Sequence, residues 1–131
     1  MIRVMLVDDQ ELVRSGFRII LESEPDIEVV CEAPDGEAAI ALAAEHTPDV
    51  ICMDVEMPRL DGISASRRIL ATQPDTSVLI LTTFGHEHYL FDALAAGVSG
   101  FLLKTSRAEQ LIDAVRNALA AAACALAAGV S

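Results

Sequence analysis

An aspartate near the middle of the sequence occupies a position suited to chemistry. Asp54 directly follows the apolar run Val50–Met53, and a turn containing Pro58 and Gly62 comes after it. A short apolar run bounded by turn residues is typical of a strand buried on both faces. In an open parallel sheet, ligands bind beyond the carboxyl ends of the strands. The pattern therefore predicts that Asp54 lies where a reacting group would lie.

Three other predicted strands also end in polar side chains. Asp8 and Asp9 follow the first strand, Thr82 follows the fourth, and Lys104 follows the fifth. Lys104 is the only lysine among nine basic residues, so its position is informative. Because parallel strands place their carboxyl ends at one edge of a sheet, we expect these groups to meet beside Asp54.

Such a cluster of acids has a definite chemical consequence. Two carboxylates about 4 Å apart repel by about 4 kcal/mol at an effective dielectric constant near 20, so the cluster either raises its pKa values or holds a cation. Hard oxygen ligands with room for water and phosphate oxygens suit Mg²⁺. A lysine and a hydroxyl nearby would stabilise a phosphoryl group, and a carboxylate can act as the nucleophile that forms an acyl phosphate. The cluster therefore predicts a magnesium-dependent phosphoryl site.

The elements that must position these groups alternate between strand and helix. Strands are predicted at 2–7, 27–31, 50–53, 78–81 and 101–103, and helices at 10–22, 38–45, 63–71, 89–96 and from 106 onwards. Buried strands separated by helices are typical of a parallel sheet covered on both faces. We predict an α/β fold with a doubly wound five-stranded parallel sheet in the flavodoxin-like order 2-1-3-4-5, in which strands 1 and 3 are neighbours.

Local signals predict several helix ends and surface positions. Asp35 is expected to cap the second helix, and Gly97 to end the fourth in a left-handed conformation. Ser106 is expected to cap the last helix in a capping box with Glu109. His86 and His88 are expected to face solvent.

The composition limits the class of protein. The chain has 131 residues, 53% of them apolar, which indicates a single folded domain. The net charge of -11 argues against nucleic-acid binding by this chain, because that binding depends on clustered lysine and arginine. The three cysteines, Cys31, Cys52 and Cys124, match no metal motif and indicate reduced thiols in the cytoplasm. We predict no signal peptide and no membrane span.

Four motifs at the predicted strand ends carry a family resemblance. They are VDD at 7–9, MDVEMPRLDG at 53–62, LTT at 81–83 and AGVSGFLLK at 96–104. In this order they resemble the receiver domain of two-component response regulators, over nearly the whole chain. The phrases LTTFG and GFLLK are most similar to LuxR/NarL-like regulators, whose second domain is a helix-turn-helix DNA reader.

The resemblance implies roles for the acids and the lysine. Asp54 would be the phospho-acceptor, Asp9 would bind Mg²⁺ directly, and Asp8 would assist through water. The backbone carbonyl of Glu56 would be a further Mg²⁺ ligand. Lys104 would pair with the phosphoryl group.

The resemblance also implies a switch. Thr82 would be the hydroxyl that turns inward to bond the phosphoryl group, chosen over Thr83 by its distance from the AGVSG motif. Phe101 occupies the position of the family's switch aromatic, which is often tyrosine. Because Phe101 has no hydroxyl, only a packing switch remains.

The implied partner is a sensor histidine kinase that donates the phosphoryl group, and dimerisation on phosphorylation is expected. DNA contact is expected only through an output domain absent from this sequence, and no membrane partner is expected. We assign residues 1–120 to the receiver domain and 121–131 to a helix end or linker tail. The segment ALAAGVS occurs at 93–99 and again at 125–131.

Three alternatives remain at this point. Asp8 and Asp9 are also suited to capping the first helix. Asp54 and Glu56 superficially resemble the paired acids of haloacid dehalogenase-like phosphatases, although those enzymes carry the nucleophile after the first strand. A third alternative is an interaction module of the same fold that is never phosphorylated.

Overall fold

Five parallel strands form one sheet through the middle of the protein. The computed structural model describes residues 1–83 and 87–127, with side chains at all of these positions except 87 and 121–127. The strands are β1 Ile2–Val7, β2 Ile27–Ala33, β3 Val50–Asp54, β4 Ser77–Thr82 and β5 Gly100–Leu103. Their order is β2-β1-β3-β4-β5, and each neighbouring pair is parallel. The predicted fold and strand order are confirmed.

Helices follow each strand along the chain. They are α1 Glu11–Glu22, α2 Gly36–His46, α3 Gly62–Thr72, α4 Leu90–Ala95 and α5 Ala108–Ala127. The fourth helix is one residue shorter at each end than the predicted 89–96, and a 3₁₀ turn, Glu87–Tyr89, precedes it. The last helix continues through 121–127, inside the segment predicted to be a helix end or linker tail.

Alternate strand residues pack against opposite helix layers. Ile51 and Ile80 belong to the core under α2, α3 and α4, whereas Cys52 and Leu79 belong to the core under α1 and α5. Burying each large apolar side chain contributes about 1.5–3 kcal/mol. All five residues of β3 are buried, so the strand that ends in Asp54 is fixed on both faces.

Two of the predicted helix ends are confirmed. The Asp35 side chain accepts a hydrogen bond of 2.8 Å from the backbone N–H of Ala38 and caps α2. Gly97 follows α4 with a φ of 92°, in the left-handed region that glycine adopts without strain. These ends set the directions in which the chain enters α2 and leaves α4.

The predicted start of the last helix was wrong. The helix begins at Ala108, and Ser106 lies two residues before it. The Gln110 side chain accepts a 2.8 Å hydrogen bond from the backbone N–H of Arg107. This is half of a capping box placed one residue later than the predicted one, and it decides where α5 begins.

The remaining sequence expectations concern exposed or peripheral residues. His88 is exposed, while His86 lies outside the described residues. The second copy of ALAAGVS also extends beyond the described residues, from 128 onwards. Among the helices that the structure describes, none combines the length and apolar character that crossing a bilayer requires.

Candidate functional site

The carboxyl ends of four strands lie together at one edge of the sheet. β1 and β3 stay paired up to the residues just before Asp8 and Asp54, so these two acids leave the sheet side by side. β4 and β5 pair up to Thr82 and Leu103, and the backbone N–H of Lys104 then donates to the Thr82 carbonyl at 2.7 Å. The register therefore brings chemically different side chains from four strands to one place.

Lys104 bridges the two buried acids. Its Nζ lies 2.6 Å from Oδ2 of Asp8 and 3.1 Å from Oδ1 of Asp54. Asp8 is 2% exposed and Asp54 is 4% exposed. Burying an unpaired charge costs several kcal/mol, so this single ammonium group offsets part of the cost of burying two carboxylates. The structure thus brings together the acids and the lysine that the sequence placed at one sheet edge.

A network of backbone hydrogen bonds holds Asp8. Its N–H donates to the Ala33 carbonyl at 3.1 Å, which extends the pairing of β1 with β2 by one residue. Its Oδ1 accepts a 2.9 Å hydrogen bond from the backbone N–H of Gln10. Gln10, not either aspartate, is the N-cap residue of α1, and its own side chain makes no capping bond. The alternative in which Asp8 or Asp9 merely caps α1 is therefore wrong.

The environment of Asp54 makes its ionisation less favourable than in water when no metal ion is bound. Burial, followed by repulsion from Asp8, raises the pKa of Asp54 to about 6, although Lys104 acts in the opposite direction. The raised pKa means that one lysine compensates the acid cluster only in part. An additional cation would lower the free energy of the fully ionised cluster.

Lys104 remains positively charged in this site. Burial on its own would lower the pKa of Lys104, but hydrogen bonds and attraction from Asp8 and Asp54 outweigh it and raise this pKa above its usual value. Lys104 is therefore a fixed positive charge that faces the cleft beside Asp54.

The acid cluster fits Mg²⁺. Asp8, Asp9 and Asp54 each offer a carboxylate oxygen, and these oxygens lie within 4.8 Å of one another. Asp9 is exposed, and a cleft of about 230 Å³ lies against Asp9, Asp54 and Lys104. Mg²⁺ prefers oxygen ligands, binds to one or two carboxylates and keeps several waters. A set of carboxylates that opens to solvent on one side meets these requirements.

The other predicted residues lie around this cleft or behind it. Thr82 is buried, and its hydroxyl lies 3.5 Å from the Thr83 carbonyl. Thr82, Thr83 and the exposed Glu56 line the cleft, so the choice of Thr82 over Thr83 stays a prediction. Phe101 is half-buried and packs against the core under α2, α3 and α4.

Two residues that shape the site were missed at the level of sequence. Gln10 lines the cleft as well as donating to Asp8. Gly62 lies so close to β3 that a Cβ atom there would be 1.9 Å from the backbone oxygen of Asp54. The position of Gln10 directly after two aspartates was a usable signal. The Asp-Gly pair at 61–62 signalled only a turn.

Replacing the crowded acid should stabilise the metal-free protein. At pH 7 with a chelator present, we expect Asp54→Asn to raise the free energy of unfolding by about 1–2 kcal/mol, because ionising Asp54 is unfavourable in the folded state. The melting temperature should rise by roughly 5 °C. Because burial raises the pKa of Asp54 in the folded state from its ordinary value of 3.8 to about 6, the wild type loses stability relative to Asp54→Asn as pH rises through that interval.

The difference between the two proteins should therefore vanish below about pH 4, where Asp54 is protonated whether folded or unfolded. Thermal melts across this pH range measure it. Glu28→Gln is the matched control, since Glu28 is an exposed acid near the start of edge strand β2. A lower melting temperature for Asp54→Asn at pH 7 would mean that the acids do not repel one another.

Comparison with known proteins identifies the family. Residues 4–116 match the response regulator receiver domain. The chain belongs to this family. The receiver is 51% identical over 117 residues to the uncharacterized transcriptional regulatory protein YxjL of Bacillus subtilis (strain 168), covering 89% of this chain and 54% of that protein. It is 45% identical over 118 residues to the transcriptional regulatory protein LiaR of the same organism, covering 90% and 56%.

A solved structure shows the same fold. A two-component response regulator of the LuxR family from Aurantimonas sp. SI85-9A1 is 38% identical to the receiver, with a TM-score of 0.86 over 91% of this chain and 85% of the other. The predicted family and subfamily are confirmed. These relatives are signalling and transcription regulators, which does not favour the phosphatase alternative. The chain spans about half the length of the curated relatives it matches.

Proposed function

We propose that this receiver is a switch that a sensor histidine kinase controls by transferring a phosphoryl group to Asp54. The ion pairs of Lys104 with Asp8 and Asp54 carry the proposal, because they join three strands at one polar cleft. Asp54 is the acid at the end of a fully buried strand and faces that cleft. Its carboxylate is therefore both held in place and open to a donor.

The proposed transfer is a displacement at phosphorus. An oxygen of the Asp54 carboxylate attacks, the phosphorus–nitrogen bond of the donor phosphohistidine breaks, and the imidazole leaves with the bonding electron pair. Lys104 is placed to neutralise charge on the phosphoryl oxygens, since its ammonium already lies 3.1 Å from Asp54. The charge of the product acyl phosphate would keep Lys104 paired at Asp54.

Asp9, Asp54 and the backbone carbonyl of Glu56 would hold Mg²⁺, with Asp8 assisting through water. When bound, Mg²⁺ would neutralise the acid cluster and the phosphoryl oxygens together. Asp8 already has two partners, the Gln10 N–H and Lys104. Asp9 is exposed towards the cleft, which favours it as the direct ligand.

The proposed readout is a change of packing on the β4–α4–β5 face. Thr82 closes β4 and lines the cleft, so it is placed to turn its hydroxyl towards a phosphoryl group on Asp54. Phe101 lies half-buried on the neighbouring strand and would repack as Thr82 moves. Phosphorylation would thus change the charge at one residue and shift this face between two packing arrangements. We propose dimerisation, or control of a DNA-binding output domain in the cytoplasm, as its consequence.

Intact-mass measurement tests the proposal. With a small acyl phosphate as donor and Mg²⁺ present, the wild type should gain the mass of a single phosphoryl group, and a chelator should prevent the gain. Asp54→Asn should show no gain, because the amide oxygen is too weak a nucleophile. Glu28→Gln, the distant acid control, should be modified like the wild type.

Two outcomes would contradict the proposal. One is an unmodified wild type, and the other is modification that survives in Asp54→Asn. Release of phosphate from a generic ester over many turnovers would instead support the phosphatase alternative. A receiver is expected to be modified about once per chain and then to decay.

A further inference from the structure

Arg14 on α1 links β2 to the loop that carries the first two acids. Its Nε donates to Oε1 of Glu32 at 3.0 Å, and its Nη1 donates to the backbone carbonyl of Asp8. The Arg14 side chain is 13% exposed and that of Glu32 is 25% exposed. Both contacts are therefore largely shielded from water, unlike an ordinary surface ion pair.

The carbonyl that Arg14 binds has a particular place in the chain. β1 ends at Val7, so the Asp8 carbonyl lies just beyond the strand. This carbonyl belongs to the peptide group that joins Asp8 to Asp9. Because a peptide group is planar, fixing its oxygen also fixes the direction of the bond that leads to Asp9. Asp9 itself is exposed, and the direction of its Cα–Cβ bond, which the backbone sets, limits the positions that its carboxylate can reach.

We propose that Arg14 is a positioning residue for Mg²⁺: it orients the Asp8–Asp9 peptide so that the Asp9 carboxylate meets the carboxylates of Asp8 and Asp54. The inference rests on the proposed function, since it takes this acid cluster to be the Mg²⁺ site. Arg14 does not line the cleft, and it acts only through the backbone of Asp8. Its removal should therefore weaken Mg²⁺ binding without removing any ligand.

Arg18 provides a matched control one turn further along α1. Its Nε donates to Oε2 of Glu32 at 2.7 Å, and its Nη1 lies 3.7 Å from Glu22. Arg18 thus shares Glu32 with Arg14, but among the described residues it makes no hydrogen bond or ion pair with Asp8. Comparing the two alanine variants separates the effect of losing the contact with the Asp8 carbonyl from the effect of losing an arginine beside Glu32.

The experiment is a titration with MgCl₂ followed by the melting temperature of the unphosphorylated protein, because a ligand that binds only the folded state raises it. We expect the Mg²⁺ concentration that produces a given rise in melting temperature over the metal-free protein to be about tenfold higher in Arg14→Ala, the size of effect seen when an outer partner of a metal ligand is lost. Arg18→Ala should keep the wild-type value. Arg14→Lys keeps the charge but cannot hold both partners, so it should fall between them.

Phosphorylation gives a second readout that a merely structural role would not produce. The rate for Arg14→Ala should be low at limiting Mg²⁺ and return to the wild-type rate at saturating Mg²⁺, because Arg14 touches no reacting group. If the melting temperature and the phosphorylation rate depend on Mg²⁺ equally in Arg14→Ala, Arg18→Ala and wild type, the inference is overturned. If Arg14→Ala does not fold, wild-type Mg²⁺ dependence in Arg14→Lys would overturn it. A wild type that Mg²⁺ does not stabilise would overturn the proposed Mg²⁺ site itself.

Discussion

Gly62→Ala is expected to lower the free energy of unfolding by about 3 kcal/mol or more, because the added methyl group has no space. Its Cβ would lie 1.9 Å from the backbone oxygen of Asp54, 2.8 Å from the carbonyl carbon of Asp54 and 2.9 Å from Cγ of Met53. Two of these atoms are backbone at the end of a buried strand, so no side-chain rotation relieves the clash. The Gly62 N–H also donates to the Val55 carbonyl at 2.9 Å, which ties α3 to this position.

Gly16→Ala is the matched control, since a Cβ at Gly16 in α1 would meet nothing within 4 Å. Alanine is the better helix former, so this variant should be more stable by about 0.5–1 kcal/mol. Urea unfolding of both variants at equal chelator concentration measures the difference. A Gly62→Ala protein as stable as the wild type would mean that α3 does not begin against the Asp54 backbone, and the geometry of the cleft would then be wrong.

Lys104→Ala should also lower the free energy of unfolding strongly in the metal-free protein. Removing the ammonium group leaves Asp8 and Asp54 buried with no cation between them, and breaking a buried ion pair in this way costs about 3–5 kcal/mol. Arg107→Ala is the control, because Arg107 is an exposed cation three residues away and should change stability by less than about 0.5 kcal/mol.

Mg²⁺ should restore much of the stability of Lys104→Ala, since it places positive charge among the same carboxylates. Even with Mg²⁺, the phosphorylation rate of Lys104→Ala should stay roughly 10²–10³-fold below the wild-type rate, because Lys104 is proposed to neutralise the phosphoryl oxygens. The double variant Lys104→Ala/Asp54→Asn should be more stable than the sum of the two single effects predicts, because Asp54 is an unpaired charge once Lys104 is removed. This non-additivity measures the coupling of the pair. Purely additive effects on stability would show that Lys104 and Asp54 do not interact.

The strand order and the position of the acids could be predicted because the signals are local and repeated. Each apolar run ends in a polar residue, and parallel topology then forces Asp54, Thr82 and Lys104 to one edge. Four motifs at these ends also identified the family, which the comparisons confirm. The prediction that the first and third strands are neighbours followed from fold type alone, and the pairing of β1 with β3 confirms it.

What could not be predicted depends on the geometry of individual contacts, which residue types and spacing do not reveal. The start of α5 depends on whether Ser106 or Gln110 forms the capping hydrogen bond with the backbone N–H groups at the start of the helix. Both residue types are suited to that bond. The contact of Arg14 with the Asp8 carbonyl joins a helix to a loop six residues earlier, and the sequence gives no sign of its geometry. The closeness of Gly62 to the Asp54 backbone likewise appears only when β3 and α3 are assembled.

Locating the phosphoryl group tests the central claim most directly. Borohydride reduces an aspartyl phosphate to homoserine, so reducing the phosphorylated protein, digesting it and sequencing the peptides by mass spectrometry identifies the modified residue. In the wild type treated with acyl phosphate and Mg²⁺, we expect homoserine at position 54 and no reduced residue at any other acid of the cleft. Homoserine at position 8 or 9, 2-amino-5-hydroxypentanoic acid (the reduction product of a glutamyl phosphate) at position 56, or a phosphoryl group on Thr82 or Thr83 would contradict this prediction.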